Sequence, residues 1–169
     1  MPSTVSPYDD ITLLACRFIG GERRRSERLS LGVPENLDEL AAAVAMCEQA
    51  AERLGADAGA RQRVAIGCDE VFSNIMKYGF PGGDRRSIEC EILRDDDALV
   101  LVIADDGVPF NPLDHPTPDP TLPLDERPIG GLGVHLVRRL FDDMQYRRAG
   151  GRNVLTLRLR IASKPPEAQ

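Results

Sequence analysis

Three polar residues at helical spacing, Glu70, Asn74 and Lys77, form the first cluster that could carry out chemistry. Intervals of four and three residues place their carboxylate, amide and ammonium groups on one face of a helix. Asparagine is a mediocre helix former, so its position in the middle of a helix favours a ligand-binding or hydrogen-bonding role. The spacing alone fits a solvated helix face with an intrahelical ion pair equally well or better.

A second cluster stands where an apolar strand ends, at Asp105-Asp106-Gly107. One of these carboxylates could point into a pocket beside the sheet and accept a hydrogen bond from an exocyclic amine such as that of adenine. Gly107 would let the backbone approach a flat ring. A strand that merely ends in polar residues would look the same, so this cluster leaves both interpretations open.

The third cluster is Gly130-Gly131-Leu132-Gly133, directly before a helix. Free backbone N–H groups and the positive end of a helix dipole are what a phosphate group requires. The spacing differs from GxGxxG after a strand and from the P-loop motif, which excludes both of those nucleotide-binding folds. His115 and His135 show no metal-ligand spacing, and no motif of a serine or cysteine hydrolase is present. We expect His135 to face solvent or the rim of a pocket.

Hydrophobic periodicity predicts the elements that position these clusters. Apolar residues recur every three to four positions from Leu37 to Leu54, and again from the N-cap Asp57 to about Tyr78. The segments Ser87–Leu93 and Ala98–Ala104 read as an antiparallel hairpin, and the second is the more continuously apolar, so we expect it to be central.

Shorter signals complete the order of elements. The segment Arg28–Val33 alternates as a strand does, and Ile11–Ile19 reads as a strand or core-docking segment. After the glycines we expect a helix to about Asp143 and a last hairpin, Met144–Arg148 and Asn153–Ile161. Strands in hairpins and helices in runs predict an α+β fold, a two-layer sandwich with a mostly antiparallel sheet and the helices on one face.

Seven of the thirteen prolines fall between Pro109 and Pro128, which excludes a regular helix or a central strand there. A loop of that length in a compact domain is typical of a lid or a binding loop, or else it is disordered. It lies between the second cluster and the third. The sequence therefore predicts a lid over the site that these clusters would form.

Composition bounds the remaining possibilities. The 169 residues are 42% hydrophobic and 28% charged, which suits one domain, and the formal net charge of −6 argues against nucleic acid or an anionic membrane as partner. No apolar run approaches a membrane span and the start is polar and acidic, so we expect a cytoplasmic protein. The four cysteines, Cys16, Cys47, Cys68 and Cys90, include no CxxC pair and are expected to be reduced and mostly buried.

Taken in order, the three clusters resemble the N, G1 and G2 boxes of the GHKL ATPase superfamily. The matching motifs are Asp69-Glu70-x-x-x-Asn74-x-x-Lys77-Tyr78, Asp105-x-Gly107-x-x-Phe110, and Gly130-Gly131-Leu132-Gly133-Val134-His135-Leu136-Val137. Within the superfamily, the Glu four residues before the Asn, the short chain, DDGVPFNP and GGLGVHLVRRLFDDMQYRRAGGRNVLTLRL look like the anti-sigma factor serine/threonine kinases. The resemblance implies the Bergerat fold over residues 28–161, with an N-terminal extension at 1–27 and a disordered tail at 162–169.

The resemblance also implies ATP and Mg²⁺ as cofactors and assigns roles residue by residue. Asp105 with Gly107 matches the motif that recognises adenine, Glu70 matches the general base, and Asn74 matches the Mg²⁺ ligand. Arg127, at the end of the lid, is a γ-phosphate contact by position. The full set of matched nucleotide contacts near the phosphates is Lys77, Arg127, Gly131, Leu132, Gly133 and Val134.

In that family the kinase phosphorylates a serine or threonine of a STAS-domain antagonist and also binds a sigma factor, and a homodimer is implied. Two residues depart from the common pattern: Pro109 stands where many members have a glycine, and Asn153 where others often carry threonine. Two further functions stay open. One is a nucleotide-gated binding module without significant transfer, which Glu70 argues against. The other is a histidine kinase ATPase domain, although no hairpin with a phosphoacceptor histidine precedes the domain in this sequence.

Overall fold

The structure is a computed structural model, and it describes residues 13–14, 25–32, 34, 36–82, 87–114 and 132–161. Within these ranges the chain forms one sheet and three α-helices. A π-helical turn (Ile75–Gly79) and a 3₁₀ turn (Pro112–Asp114) add to them. In chain order the strands and α-helices are β1 (Leu13–Leu14), β2 (Arg25–Gly32), α1 (Leu37–Arg53), α2 (Ala58–Asn74), β3 (Ser87–Asp95), β4 (Ala98–Asp105), α3 (Leu132–Leu140), β5 (Asp143–Ala149) and β6 (Arg152–Arg160).

The sheet has the order β1-β2-β3-β4-β6-β5, and all neighbouring strands are antiparallel. The predicted central position of β4 is confirmed, since it lies between β3 and β6. A two-residue turn joins β3 to β4, and Asp96 in this turn has a φ of 50°, a left-handed conformation that aspartate tolerates better than most residues. In β5–β6 the turn is Gly150-Gly151, where both glycines have positive φ.

The helices and the sheet form two layers around one core. Alternate residues of β4, such as Leu99, Leu101 and Ile103, are fully or almost fully buried, as are Val64 and Phe72 of α2. Alternation on a strand puts one face toward the helices, so a single layer of core separates the two. The predicted α+β, two-layer fold is therefore confirmed.

Capping residues start the two long helices where the sequence predicts. The side chain of Asn36 accepts a hydrogen bond from the backbone N–H of Glu39 at 3.0 Å. Asp57, the predicted N-cap of α2, accepts from the N–H of Ala60 at 2.7 Å. Each side chain satisfies an N–H group that the first helical turn leaves unpaired.

Two helix ends differ from the prediction. The α-helical part of α2 ends at Asn74 rather than near Tyr78, because the chain continues as the wider π-helical turn. Helix α3 ends at Leu140 rather than near Asp143. There the N–H of Asp142 already donates to the carbonyl oxygen of Arg158 on β6 at 2.8 Å, so the chain has joined the sheet.

At the N-terminal side, strand β2 begins at Arg25, three residues earlier than predicted. Within the predicted segment Ile11–Ile19, the described residues are the two that form the edge strand β1. Of the predicted lid, which runs from Pro109 to Pro128, residues 115–128 lie outside the described residues, as do the tail at 162–169 and Cys16. None of the helices in the described ranges is both long and apolar enough to cross a membrane.

The other three cysteines are free, buried thiols, as expected. Cys47 of α1 lies with its Sγ 4.0 Å from the Sγ of Cys90 on β3. Hydrogen bonding with Cys68 and Cys90, together with burial, raises the pKa of the Cys47 thiol well above its ordinary value. These thiols belong to the core between the helices and the sheet.

Candidate functional site

A cavity of about 250 Å³ opens between helices α2 and α3 and the ends of strands β4, β5 and β6. Most of its wall is apolar, with few polar groups, which suits a flat heterocycle better than a highly charged ligand. The tyrosine and phenylalanine rings at its mouth, Tyr78 and Phe110, are exposed. The lining residues are Val71, Asn74, Ile75, Tyr78, Gly79, Ile103, Asp105, Val108, Pro109, Phe110, Pro112, Val134, Val137, Met144, Tyr146, Asn153 and Leu155.

The polar residues at this cavity fall into two groups. We call Asp105, Gly107 and Asn153 the sheet group, because they lie on β4, the loop after it, and β6. We call Glu70, Asn74 and Gly133 the helix group, because they lie on α2 and α3. Asp105, Asn153 and Asn74 line the cavity directly.

In the sheet group, Asp105 and Asn153 are the buried polar side chains, each 6% exposed. The Oδ1 atom of Asp105 accepts hydrogen bonds from the backbone N–H of Gly107 and from Nδ2 of Asn153, both at 2.9 Å. No described residue donates a hydrogen bond to the second oxygen, Oδ2. The carboxylate can therefore accept one from an N–H group of a ligand in the cavity.

Glycine is required at position 107 by close contacts within the protein. A Cβ atom there would stand 2.7 Å from Oδ1 of Asp105 and 2.8 Å from the carbonyl oxygen of Gly79. The backbone N–H of Val108 also donates to that carbonyl at 2.9 Å. This contact joins the loop after β4 to the end of the π-helical turn, so the strand end and the end of α2 form one continuous wall.

In the helix group, the carboxylate of Glu70 packs against the first turn of α3. A Cβ atom added to Gly133 would overlap Oε2 of Glu70 and would stand 3.7 Å from Nδ2 of Asn74. Glu70 and Asn74 are half-buried, and neither side chain makes a hydrogen bond or ion pair with a described residue. A carboxylate packed at a helix start is stabilised by the helix dipole.

Comparison with known proteins bears on this arrangement. The model of the histidine kinase-like ATPase domain family matches residues 33–159 of the chain. The chain belongs to this family. The predicted resemblance to the GHKL superfamily and its anti-sigma factor kinases is thus confirmed at the level of the family.

Two curated relatives of the chain are named as protein kinases. The chain is 30% identical over 97 residues to the serine/threonine-protein kinase BtrW of Bordetella bronchiseptica, covering 57% of this chain and 68% of that protein. It is 26% identical over 133 residues to the serine-protein kinase RsbW of Bacillus mycoides, covering 76% and 82% of the two chains.

A solved structure shows the same fold. The RsbU and RsbW domains of Rv1364c from Mycobacterium tuberculosis match 83% of this chain with a TM-score of 0.57 at 14% identity. This chain spans 33% of that longer one.

Several described residues that match the family motifs do not line the cavity, among them Glu70, Lys77, Gly107, Gly133 and His135. The prediction placed Glu70, Asn74 and Lys77 on one face of an α-helix. A π-helical turn follows Asn74, and its wider winding turns Lys77 away from that face. Lys77 is exposed, and its neighbour Tyr78 lines the cavity instead. His135 is half-buried on α3, and among the described residues it is not part of the cavity lining.

Of the predicted phosphate contacts on the glycine-rich segment, Val134 is buried and lines the cavity, and Gly133 lies against Glu70. Leu132 is the first residue of α3. Arg127 and Gly131 lie outside the described residues.

Sequence reasoning missed two residues at the site, Tyr146 and Arg148, and treated Asn153 only as a departure from a family pattern. The hydroxyl of Tyr146 and Nη1 of Arg148 donate to Oδ1 of Asn153 at 2.9 and 2.7 Å. The double-glycine turn pairs residue 148 with residue 153, so the contact between Arg148 and Asn153 could have been predicted from the sequence. Asn153 and Asp105 are 48 residues apart in the sequence, and no local sequence pattern predicts that they pair.

Proposed function

We propose that the chain is an ATP-dependent protein serine/threonine kinase that acts as an anti-sigma factor-type regulator. The observation that carries the proposal is the position of Glu70 and Asn74 against the start of α3, beside the same cavity that the buried Asp105 carboxylate lines. Asp105 lines the cavity, and Glu70 lies one helical turn from the lining residue Asn74 with its carboxylate against Gly133. A kinase needs such a second carboxylate near the nucleotide, whereas a simple binding module does not.

Asp105 would recognise the adenine. Its Oδ2 atom is available to accept a hydrogen bond from the 6-amino group, while the apolar wall, including Ile103 and Leu155, suits the faces of the ring. Guanine has an oxo group at this position. That oxygen and Oδ2 of Asp105 are both hydrogen-bond acceptors, so they would repel each other. The proposal therefore includes selectivity for ATP over GTP.

The side chains also fit a Mg²⁺ ion held with the nucleotide. Mg²⁺ is commonly bound by one or two protein oxygens together with substrate phosphates, and the Asn74 amide oxygen would supply the protein ligand from the cavity wall. When bound, the ion neutralises charge on the phosphate oxygens. The first turn of α3, which begins at Leu132, would place backbone N–H groups near the same phosphates.

Glu70 would act as the general base in the transfer. Its carboxylate accepts the proton of a serine or threonine hydroxyl as the hydroxyl oxygen bonds to the γ-phosphorus. The bond from that phosphorus to the β–γ bridging oxygen breaks, and ADP leaves with the electron pair. Because phosphoryl transfer needs alignment and charge stabilisation more than covalent help, one carboxylate and the helix start can supply the protein's share.

For the acceptor we propose a STAS-domain anti-sigma factor antagonist, with a sigma factor as the exchange partner and a homodimer as the assembled state. The names of the relatives, serine/threonine-protein kinase and serine-protein kinase, support the acceptor residue type. The name of the second relative, RsbW, and the fold shared with the structure of the RsbU and RsbW domains of Rv1364c support the regulatory class.

The proposal is tested by incubating the purified protein with γ-³²P-labelled ATP, Mg²⁺ and the STAS-domain proteins encoded in the same genome. We expect label on one of them, stable to acid, as phosphoserine and phosphothreonine are. The matched control is that acceptor with its phosphorylated residue changed to alanine, which should take up no label.

The other outcomes separate the alternatives. Acid-labile label on a histidine would replace the proposal with a histidine kinase ATPase domain. Saturable ATP binding with no transfer to any acceptor, and no difference between the wild type and Glu70→Ala, would replace it with a nucleotide-gated binding module.

A further inference from the structure

Three charged and polar residues, Asp105, Asn153 and Arg148, lie in one row across the sheet. Asp105 of β4 pairs with Asn153 of β6, and Asn153 pairs with Arg148 of β5. Directly paired residues of antiparallel strands hold their side chains close together. The Asn153 amide thus stands between a carboxylate and a guanidinium group.

The contacts of Asn153 fix the orientation of its amide. Its Oδ1 atom receives hydrogen bonds from Arg148, Tyr146 and, at 3.3 Å, the backbone N–H of Phe110. Its Nδ2 atom donates to Oδ1 of Asp105 at 2.9 Å and to the carbonyl oxygen of Val108 at 3.0 Å. A flipped amide would turn its oxygen toward the carboxylate and its hydrogens toward the guanidinium, so only one orientation is favourable.

Both N–H groups of Asn153 are therefore used within the protein, and none is left for a ligand. Arg148 holds the neighbouring loop as well, since its Nη1 atom also donates to the carbonyl oxygen of Gly107 at 2.9 Å. Gly107 in turn donates its N–H to Asp105. Arg148 thus supports both of the groups that donate to Oδ1 of Asp105.

We propose that Asn153 and Arg148 are positioning residues that set base selectivity. Asn153 donates to Oδ1 of Asp105 and Arg148 holds both Asn153 and Gly107 in place, which leaves Oδ2 as the acceptor for the 6-amino group of the purine. The inference rests on the proposed use of ATP, and it adds two residues that act through Asp105. It predicts that their loss affects a 6-amino purine nucleotide more than one without that group.

The test compares binding of ATP and purine riboside 5′-triphosphate, which lacks the 6-amino group, to the full chain by calorimetry. In Asn153→Ala we expect ATP to bind about 10- to 100-fold more weakly, the range expected when hydrogen bonds to a charged group are lost. Purine riboside triphosphate should change by less than about threefold, so that the preference for ATP shrinks toward one. Arg148→Met should shift the same preference in the same direction by about 3- to 10-fold.

Two further variants separate positioning from a loss of structure. Arg147→Met removes the same charge from the next residue of β5, an exposed side chain, and should leave the preference unchanged. Arg148→Lys keeps a charged donor and should restore part of what Arg148→Met loses.

Asn153→Asp keeps the shape and serves as a second variant if Asn153→Ala fails to fold. It puts a carboxylate where the Nδ2 donor stands, so Oδ1 of Asp105 loses a hydrogen bond and meets a like charge, while Arg148 and Tyr146 from β5 still face the same position. ATP binding by this variant should weaken more than the binding of purine riboside triphosphate.

The outcomes are distinguishable. Equal weakening of both nucleotides in Asn153→Ala, Asn153→Asp and Arg148→Met would overturn the positioning role and leave the proposed kinase intact. Wild-type protein that binds no ATP would overturn both.

Discussion

The sheet group and the helix group flank one cavity, yet they satisfy their polar atoms in opposite ways. In the sheet group, Asn153 alone takes part in five hydrogen bonds, and Asp105 accepts two on one oxygen. In the helix group, the Glu70 and Asn74 side chains make none with the described residues. The two groups also differ in burial, since Asp105 and Asn153 are buried whereas Glu70 and Asn74 are half-buried.

This difference suggests that the two groups have different functions. A carboxylate held by a hydrogen-bonded sheet has its geometry fixed before the ligand arrives, which lowers the entropic cost of binding. Side chains with unused hydrogen-bonding capacity can take up contacts with a metal ion, a phosphate or an acceptor hydroxyl. We therefore interpret the sheet group as the binding half of the site and the helix group as the transfer half.

The largest expected effect that separates the halves is that of Glu70→Gln on transfer. Removing the base should slow phosphoryl transfer to the acceptor by about 10²- to 10⁴-fold. Because Glu70 lies outside the sheet group, the Kd for ATP should change by less than about threefold. Single-turnover transfer at saturating ATP, together with calorimetry on the same preparation, measures both. Matching losses of binding and transfer would abolish the proposed division.

A smaller effect is expected from Gly133→Ala, which sharpens the helix side of the comparison. The new Cβ would overlap the Glu70 carboxylate, so this flexible side chain must turn aside, at a cost of about 0.5 to 1.5 kcal/mol of unfolding free energy. In the background of Glu70→Ala the overlap is gone, so the same change should stabilise α3 by up to about 1 kcal/mol, because alanine favours a helix over glycine. Urea unfolding of the four proteins of this cycle measures the coupling. Additive costs would mean that Glu70 and Gly133 are not in contact.

The smallest effect should come from Cys47→Ala, a change in the core that serves both halves equally. Losing the buried thiol should lower the unfolding free energy by about 1 kcal/mol and leave ATP selectivity and the transfer rate alone. If Cys47→Ala changed ATP selectivity but not the transfer rate, or the reverse, the core would not support the two halves of the site equally.

The same variant has a pH signature. The raised pKa of the folded Cys47 thiol contributes stability that is fully present below the pKa of the unfolded thiol, about 8.5, and is lost as the pH rises through the higher folded value. Cys47→Ala should therefore lose less stability than the wild type above about pH 8.5. A parallel decline in both proteins would contradict the pKa direction.

Much of the fold was predictable because its signals are local. The stripe of apolar residues in α1, the N-cap Asp57 and the double-glycine turn each specify their element through neighbours in the sequence. The ends of α2 and α3 were not predictable in this way. The π-helical turn after Asn74 meets the loop after β4 through Gly79, and the end of α3 depends on a hydrogen bond to Arg158, so both are set by tertiary contacts.

The candidate site divides along the same line. Glu70, Asn74 and Asp105 could be singled out because their residue types, spacing and place at an element's end are visible in the sequence. Asn153 and Arg148 could not be given a role, since that role exists only once β6 lies beside β4. Lys77 shows the converse: its helical spacing was clear, but the π-helical turn that follows Asn74 separates it from the cavity wall.

The most direct test of the two-part site is a calorimetric titration of the wild type and Asp105→Asn with Mg-ATP, with GTP as the competing nucleotide. We predict saturable binding of ATP that GTP does not displace, and an affinity about 100-fold lower in the variant, because the neutral amide replaces the charged acceptor. Thermal unfolding of both proteins checks that the variant is folded. If the wild type showed no binding, or if a folded Asp105→Asn bound ATP as tightly, the sheet group would not be the nucleotide-binding half of the site.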